Sequence, residues 1–393
     1  MKFELGRIQL LLDSLGNPQN SFSSLHIAGT NGKGSTAFMI QNALGKAGYR
    51  VGLYTSPHLV SLLERYRLNG QKISLQEFSV LTNKLRKTLR SITGTDRKLT
   101  QFEFLTAIAF LYFAQKKVDV AVIETGLGGR WDATNILSRV NLAIITNIGF
   151  DHTQWLGKKL TDIAFEKAGI IKFGIPVVTG AEEPALKVIR RLALQNRAAL
   201  HVVPPPKKKE FNLKLKGQHQ QHNAKIAEKS LEILSHNFPK LKTRSFVRAI
   251  ESAWNPGRFE SHWMRHEARR LRVILDGAHN PPAIKTLLNT LKEERIKTFH
   301  LLFGVLKDKD YKTMIALLSP YVERAVVVPV PSDRGAHPSI VASCIEWKGK
   351  AEASLNFSKG WARVLSLSEK DPILVTGSIT LLGEVFKTLR LKT

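Results

Sequence analysis

The chain has one cysteine, Cys344, in 393 residues, so no disulfide can close within it, and a reducing cytosol fits that usage. No uninterrupted apolar run is long enough to cross a bilayer, and no membrane partner is expected. The opening Met1-Lys2-Phe3-Glu4-Leu5 lacks the basic and apolar regions of a signal peptide, which points to a cytoplasmic location. No internal repeat is visible, and no biased tract exceeds Pro204-Pro205-Pro206-Lys207-Lys208-Lys209, which reads as an exposed turn. Acidic residues are scarce: Asp and Glu total 32 against 59 Lys and Arg, a net charge of +27. A basic face for nucleic acid, a field that steers an anionic substrate, and a solvated basic surface with no partner all fit that number. The basic residues are spread along the whole chain and no nucleic-acid motif accompanies them, so nucleic acid is not an expected partner.

What is present is an alternation of short β-branched runs and longer amphipathic stretches. Ser24–Ala28, Val118–Ile123, Leu142–Thr146 and Ile175–Thr179 read as buried strands, and Ser35–Lys46 as a helix. A second series places strands at Arg272–Leu275, Phe299–Phe303, Ala325–Val330 and Ile373–Thr376, with helices such as Pro282–Leu291 and Lys309–Leu318 between them. Such alternation predicts parallel sheets covered by helices. Pro256, Gly257 and the polar stretch after them suggest a break, giving domains at 1–258 and 271–393 with a linker at 259–270. The fold class expected is α/β, with a P-loop ATPase-like N-terminal domain and a smaller Rossmann-like C-terminal domain.

The strongest local signal is Gly29-Thr30-Asn31-Gly32-Lys33-Gly34-Ser35 between a predicted strand and a predicted helix. Glycines let backbone N–H groups approach phosphate oxygens, the helix N-terminus adds its dipole, and Lys33 adds a point charge. The alternative is a glycine-rich turn that binds nothing. Glu124 ends the next strand, where a carboxylate would face a ligand crevice and suit Mg²⁺, although a capping acid is equally compatible. His152, after Asp151, lies just past the following strand and could share that crevice or be a satisfied polar residue. Lys167 reads on its own as a helix-terminal lysine before Gly169. Asp276 and His279, at a strand–helix junction, could serve a ligand or cap the helix.

Ten segments in order, HIAGTNGKGS (26–35), YTSPHL (54–59), ERYRLNG (64–70), ETGLGGRWDATNI (124–136), ITNIGFDHTQWLG (145–157), EKAGIIK (166–172), GQHQQHNA (217–224), NPGRFE (255–260), DGAHNP (276–281) and TGSITLLGEV (376–385), span nearly the whole chain. Together they resemble the folylpolyglutamate synthase/dihydrofolate synthase family, a branch of the Mur-ligase-like amide ligases. The resemblance makes 1–258 a Mur-ligase-like ATP-binding domain and 271–393 a glutamate-ligase domain. It implies that Thr30, Asn31, Gly32, Lys33, Gly34 and Ser35 hold ATP phosphates, with Asn223, Arg258 and Asp276 as further ATP contacts. Ser56 and Glu124 would bind a first Mg²⁺, His152 a second, and Lys167 resembles the family's carbamylated lysine, a carboxylate-like metal ligand. K⁺ is a candidate further cation. Thr100, Gln101, Phe102 and Glu103, with Trp131, Asp132 and Ala133, match segments that contact the pterin, and His279 is a candidate at the glutamate or transition-state site. Lys33, Lys167 and His279 are the residues through which catalysis is expected.

The implied reaction joins L-glutamate to a folate or dihydropteroate carboxylate through an acyl phosphate made with ATP. Positioning and charge neutralisation would carry most of it. A monomer is expected. The sequence opens at MKFELGRIQLLLDSLGNPQ without a leading segment common in the family, which weighs more against dihydrofolate synthesis than against polyglutamylation. Asn255 precedes Pro-Gly-Arg where the family usually has Trp, and Trp254 stands one place earlier, so local repacking is expected there. A Mur-type ligase for another carboxylate, a basic nucleic-acid-binding P-loop protein and a catalytically dead scaffold are the other readings. Lys33, Ser56, Glu124, His152 and Lys167 are all present, which argues against the last.

Overall fold

The computed structural model describes residues 4–92, 99–344, 347 and 349–393, without the side chains of 243 and 244, so the first three residues of the opening segment lie outside the described residues. The chain forms two compact units: Met1–His58, Leu62–Lys214 and His219–Trp254 make the first, and Leu59–Ser61, Leu215–Gln218 and Asn255–Thr393 the second.

The first unit holds β1 (Ser23–Ala28), β2 (Val51–Tyr54), β3 (Tyr66–Leu68), β4 (Gln71–Lys72), β5 (Val120–Glu124), β6 (Val140–Ile145), β7 (Val177–Thr179) and β8 (Leu200–Val202). Their order is β4-β3-β2-β5-β1-β6-β7-β8. Pairings from β2 to β8 are parallel, and only β3 and β4 run antiparallel to their neighbours. Strands buried on both faces should be almost continuously apolar, as β5 (VAVIE) and β6 (VNLAII) are. The expected strands at 24–28, 118–123, 142–146 and 175–179 are all here within two residues at each end. With β5 on one side of β1 and β6 on the other, the C-terminal ends of these three strands form the switch point where ligand crevices open in such sheets.

The helix Gln101–Gln115 is apolar on nearly every side because it is enclosed by other elements. Phe22 packs against Phe110 and Phe113 at centroid distances of 6.3 and 6.0 Å. A Cβ on Gly52 would come 2.7 Å from the Phe113 ring, so a glycine in β2 lets the ring sit directly on the sheet. The 204–209 stretch is exposed and irregular, as its composition suggests.

The second unit holds β9 (Glu260–His266), β10 (Arg269–Leu275), β11 (Phe299–Phe303), β12 (Val322–Val327), β13 (Ala351–Ala353) and β14 (Ile373–Thr376), in the order β13-β12-β11-β14-β10-β9. Only β9 is antiparallel. Apolar clusters cover both faces, one around Phe299, Phe303 and Met314, the other around Val326, Val375 and Phe386. The stretch 259–270, expected as a linker, instead contains β9 and the start of β10, paired from His266↔Arg269 to Glu260↔Leu275. β9 is polar because Ser261, Trp263 and Arg265 face solvent while Met264 reaches the core, so an edge strand has the composition of a linker. The division between the units falls at Trp254/Asn255.

Phe113→Ala should lower stability by about 3–5 kcal/mol, read as a fall in the urea midpoint, because the ring is fully enclosed. The exposed Val80→Ala should move it by no more than about 0.5 kcal/mol.

Candidate active site

Between the end of β1 at Ala28 and the start of a helix at Lys33, the chain turns through Gly29-Thr30-Asn31-Gly32. Gly32 has φ +84°, and a Cβ there would fall on the side chain of Asn223. Asn223 is buried on the helix Gln218–Ser235 and donates to Gln220 Oε1 at 2.9 Å. The turn is braced by the segment after β6. Asn147 Oδ1 accepts from the Asn31 amide at 2.8 Å, and Thr146 Oγ1 donates to the Asn31 carbonyl at 2.7 Å. Thr30 is tied to Gly149 by two hydrogen bonds, of 2.9 and 3.1 Å. Gly34 and Ser35 lie in the first turn of the helix Lys33–Lys46, so its free amides open onto the loop.

Lys33 Nζ donates to the carbonyls of Gly29 and Thr30 at 3.0 and 3.1 Å and stands 4.0 Å from Glu124 Oε1. Glu124, buried at the end of β5, also accepts from the Ser56 amide at 3.2 Å through Oε2. Lys167, near the end of the helix Leu160–Ala168, is buried and donates to the same Gly29 carbonyl at 2.8 Å. Burial, with Lys33 nearby, pushes its ammonium down to about 7, against the opposing pull of Asp151 and Asp132. A helix-terminal lysine is thus turned inward onto the glycine-rich loop after β1.

His152 adopts a left-handed conformation, its amide donates to Asp151 Oδ1 at 2.9 Å, and its Nε2 lies 3.9 Å from Asp151 Oδ2. Among the described residues no three His, Cys, Asp or Glu side chains form a metal cluster. Glu124 nevertheless fits a divalent cation. Its buried carboxylate, at the C-terminal end of β5, is a hard oxygen donor of the kind Mg²⁺ shares with phosphate oxygens. Lys167 fits such an ion only once its amine has been converted to a carbamate.

The loop after β5 is folded around Asp132. Asp132 Oδ2 accepts from the amides of Gly126 and Leu127 at 2.9 and 2.8 Å, and Oδ1 from the Thr134 amide at 3.0 Å and the Thr134 hydroxyl. Burial raises the Asp132 carboxyl, while these four donors hold it down. Phe102 lies so close beneath Gly126 that a Cβ there would strike its ring. Trp131 is 43% exposed, and Arg130 stacks over Trp131 and Phe165, 5.0 Å from each ring. Ala133 is buried. Thr100 and Glu103 form a capping box at the helix start, Glu103 also pairs with Arg7 at 3.2 Å, and Gln101 is exposed.

In the second unit, Asp276 accepts from the amides of Phe259 and Ala278, each at 2.9 Å. Burial raises its carboxyl and Arg258 opposes the shift. The Arg258 guanidinium lies against Gly277, and His279 Nδ1 is 2.8 Å from the Gly277 carbonyl. Asn280 caps the helix Pro281–Glu293, so the cap is one residue beyond His279.

Sequence reasoning missed Asp151, Asn147 and His26. Asp151 stood in view beside His152 and was passed over for the histidine. His26 stands between the apolar Leu25 and Ile27 in a buried strand, and that was its signal.

Gly32→Ala should weaken binding of a non-hydrolysable ATP analogue at least about tenfold in calorimetry, because the methyl must displace Asn223 and the backbone is left-handed.

The sequence matches the Mur ligase middle domain over residues 27–193 and the Mur ligase glutamate ligase domain over 257–379. It is 34% identical over 422 aligned positions to the dihydrofolate synthase/folylpolyglutamate synthase of Bacillus subtilis, covering 98% of this chain and 95% of the relative. The structure matches Mycobacterium tuberculosis folylpolyglutamate synthase complexed with ADP and AMPPCP, with TM-score 0.90, 30% identity and coverage of 99% and 96% of the two chains. It also matches the Yersinia pestis bifunctional folylpolyglutamate synthase/dihydrofolate synthase complexed with AMPPNP and Mn ion, with TM-score 0.85, 30% identity and coverage of 100% and 94%. Identity of this level over essentially the full length of both chains means that this protein belongs to the folylpolyglutamate synthase/dihydrofolate synthase family of Mur-type ligases.

Proposed function

We propose that the chain ligates L-glutamate to a folate-type carboxylate with ATP, as folylpoly-γ-glutamate synthesis, dihydrofolate synthesis from dihydropteroate, or both. The observation that carries this reading is the convergence at the ends of β1, β5 and β6. There a glycine loop opens onto a helix N-terminus, with Lys33 and Lys167 on one carbonyl and Glu124 opposite. That arrangement is a receptor for phosphates and a counter-cation.

The acceptor carboxylate attacks the γ-phosphorus of ATP, ADP departs, and an acyl phosphate forms. The α-amine of glutamate then attacks the acyl carbon, and the tetrahedral intermediate expels inorganic phosphate and loses the amine proton. The amides from Gly32 to Ser35 bind phosphate oxygens, with Asn147 and Asn223 setting the loop's shape. Lys33 must leave the Gly29 and Thr30 carbonyls to reach the transferring phosphoryl group, where its charge counts most. Arg258 and Asp276 are proposed ATP contacts and His279 a glutamate-site residue. Phe102, Trp131 and Asp132, with Thr100, Gln101, Glu103 and Ala133 around them, are proposed to hold the acceptor ring.

Ser56, Glu124, His152 and Lys167 would hold two Mg²⁺ ions, with K⁺ a further candidate. Lys167 would do so after its neutral amine adds CO₂ and releases a proton, leaving a carbamate. Bound metal supplies charge neutralisation at the phosphates. The protein is proposed to work as a cytoplasmic monomer. No helix among the described residues is long and apolar enough to cross a membrane.

ADP release by the purified protein with Mg-ATP and L-glutamate, compared across dihydropteroate, tetrahydrofolate and no acceptor, tests this reading. Glutamate-dependent turnover with at least one pterin is expected, reduced about 10²- to 10³-fold in Lys33→Ala. No turnover with either pterin, while ATP still binds, would point to another carboxylate acceptor.

A further inference from the structure

His26 lies in β1, three residues before the phosphate loop, between Ile123 of β5 and Ala143 of β6. Its ring is wholly buried among apolar neighbours, and burial pushes its basicity down to about 3, with Lys172 adding to the shift. It is therefore a neutral imidazole, with one nitrogen protonated. Nε2 lies 2.8 Å from Thr134 Oγ1, while Nδ1 is buried with no hydrogen-bond partner.

Hydrogen-bond arithmetic fixes the direction of this contact. The Thr134 hydroxyl has one proton, and it is donated to Asp132 Oδ1. The hydroxyl must then receive from His26, so the proton is on Nε2 and the bare lone pair on Nδ1. An apolar side chain at this place in the strand would avoid burying an unpaired nitrogen, so the histidine is kept for what Nε2 donates.

At its far end the chain of donors reaches the loop proposed above to hold the acceptor. Asp132 uses its other oxygen to bind the amides of Gly126 and Leu127, and Arg130 and Trp131 lie in the same loop, directly before Asp132. Thr134 is further fixed through Asn135, which donates to the carbonyls of Arg130 and Gly169 at 2.9 and 3.1 Å, and whose own carbonyl takes Lys172 Nζ at 2.9 Å. The near end of the chain is β1, the strand that leads into Gly29 and Lys33. We infer that His26 is a positioning residue. Through Thr134 and Asp132 it sets the acceptor loop in register with the phosphate loop, and so places the acceptor carboxylate against the γ-phosphate. Misplacement of reacting atoms by about an ångström costs up to about 100-fold in rate.

The inference rests on the acceptor assignment made under the proposed function, and two measurements keep the two apart. In steady-state kinetics, His26→Leu and Thr134→Val should each raise KM for the pterin acceptor about tenfold, with KM for ATP nearly unchanged. The double variant should be no worse than either single one, since both cut the same chain. His26→Gln, which keeps an N–H at the reach of Nε2, should restore the wild-type acceptor KM. An unchanged acceptor KM, an equal rise in the KM for ATP, or additive single effects would overturn the inference. Independently of turnover, ¹⁵N NMR of the imidazole in the substrate-free protein should show a neutral Nε2–H tautomer from about pH 5 to 8. An Nδ1–H tautomer, or titration in that range, would refute the chain of donors even if no pterin proved to be a substrate.

Discussion

Two lysine side chains meet at the carbonyl oxygen of Gly29, Lys33 at 3.0 Å and Lys167 at 2.8 Å. Like charges repel at such range, and burial of Lys167 removes the water that would screen them. The arrangement is tolerable because the carbonyl dipole points at both and because carboxylates stand nearby. Glu124 lies 4.0 Å from Lys33, and Asp151 and Asp132 favour the charged form of Lys167. What results is a small volume at the ends of β1, β5 and β6 in which positive charge is held before any phosphate arrives. Burial and Lys33 together also bring the Lys167 ammonium down toward neutrality.

The loop around Asp132 obeys a related constraint. A buried carboxylate must be satisfied by donors or it will take up a proton. Here the donors are the loop's own amides, so the cost of burying the charge is offset by fixing the path of the chain between Gly126 and Thr134. The same device recurs in the second unit, where Asp276 draws in the amides of Phe259 and Ala278. In both places a buried acid outside the strands is first a shaper of backbone.

The parallel strands were legible in the sequence because burial on both faces leaves uninterrupted β-branched runs, as in Val120–Glu124. β9 was not, because an edge strand with Trp263 and Arg265 in solvent has the composition of a loop. β3, β4 and β13 span two or three residues each, too few to show a period. The phosphate loop could be read from its glycines, since left-handed backbone at Gly32 admits few other residues. Lys167 could not be read from local pattern, because a lysine before a C-terminal glycine looks the same whether it faces solvent or the Gly29 carbonyl. Only the resemblance to a family singled it out. Thr100 and Glu103 were singled out only by the resemblance to a family, and the structure displays them as a helix cap.

The account turns on an acceptor carboxylate that is activated by phosphorylation. Turnover of a pterin acceptor labelled with ¹⁸O in both carboxylate oxygens tests this most directly. An acyl phosphate requires that one labelled oxygen per turnover appear in inorganic phosphate and the other remain in the new amide. Unlabelled phosphate released alongside amide product would contradict it.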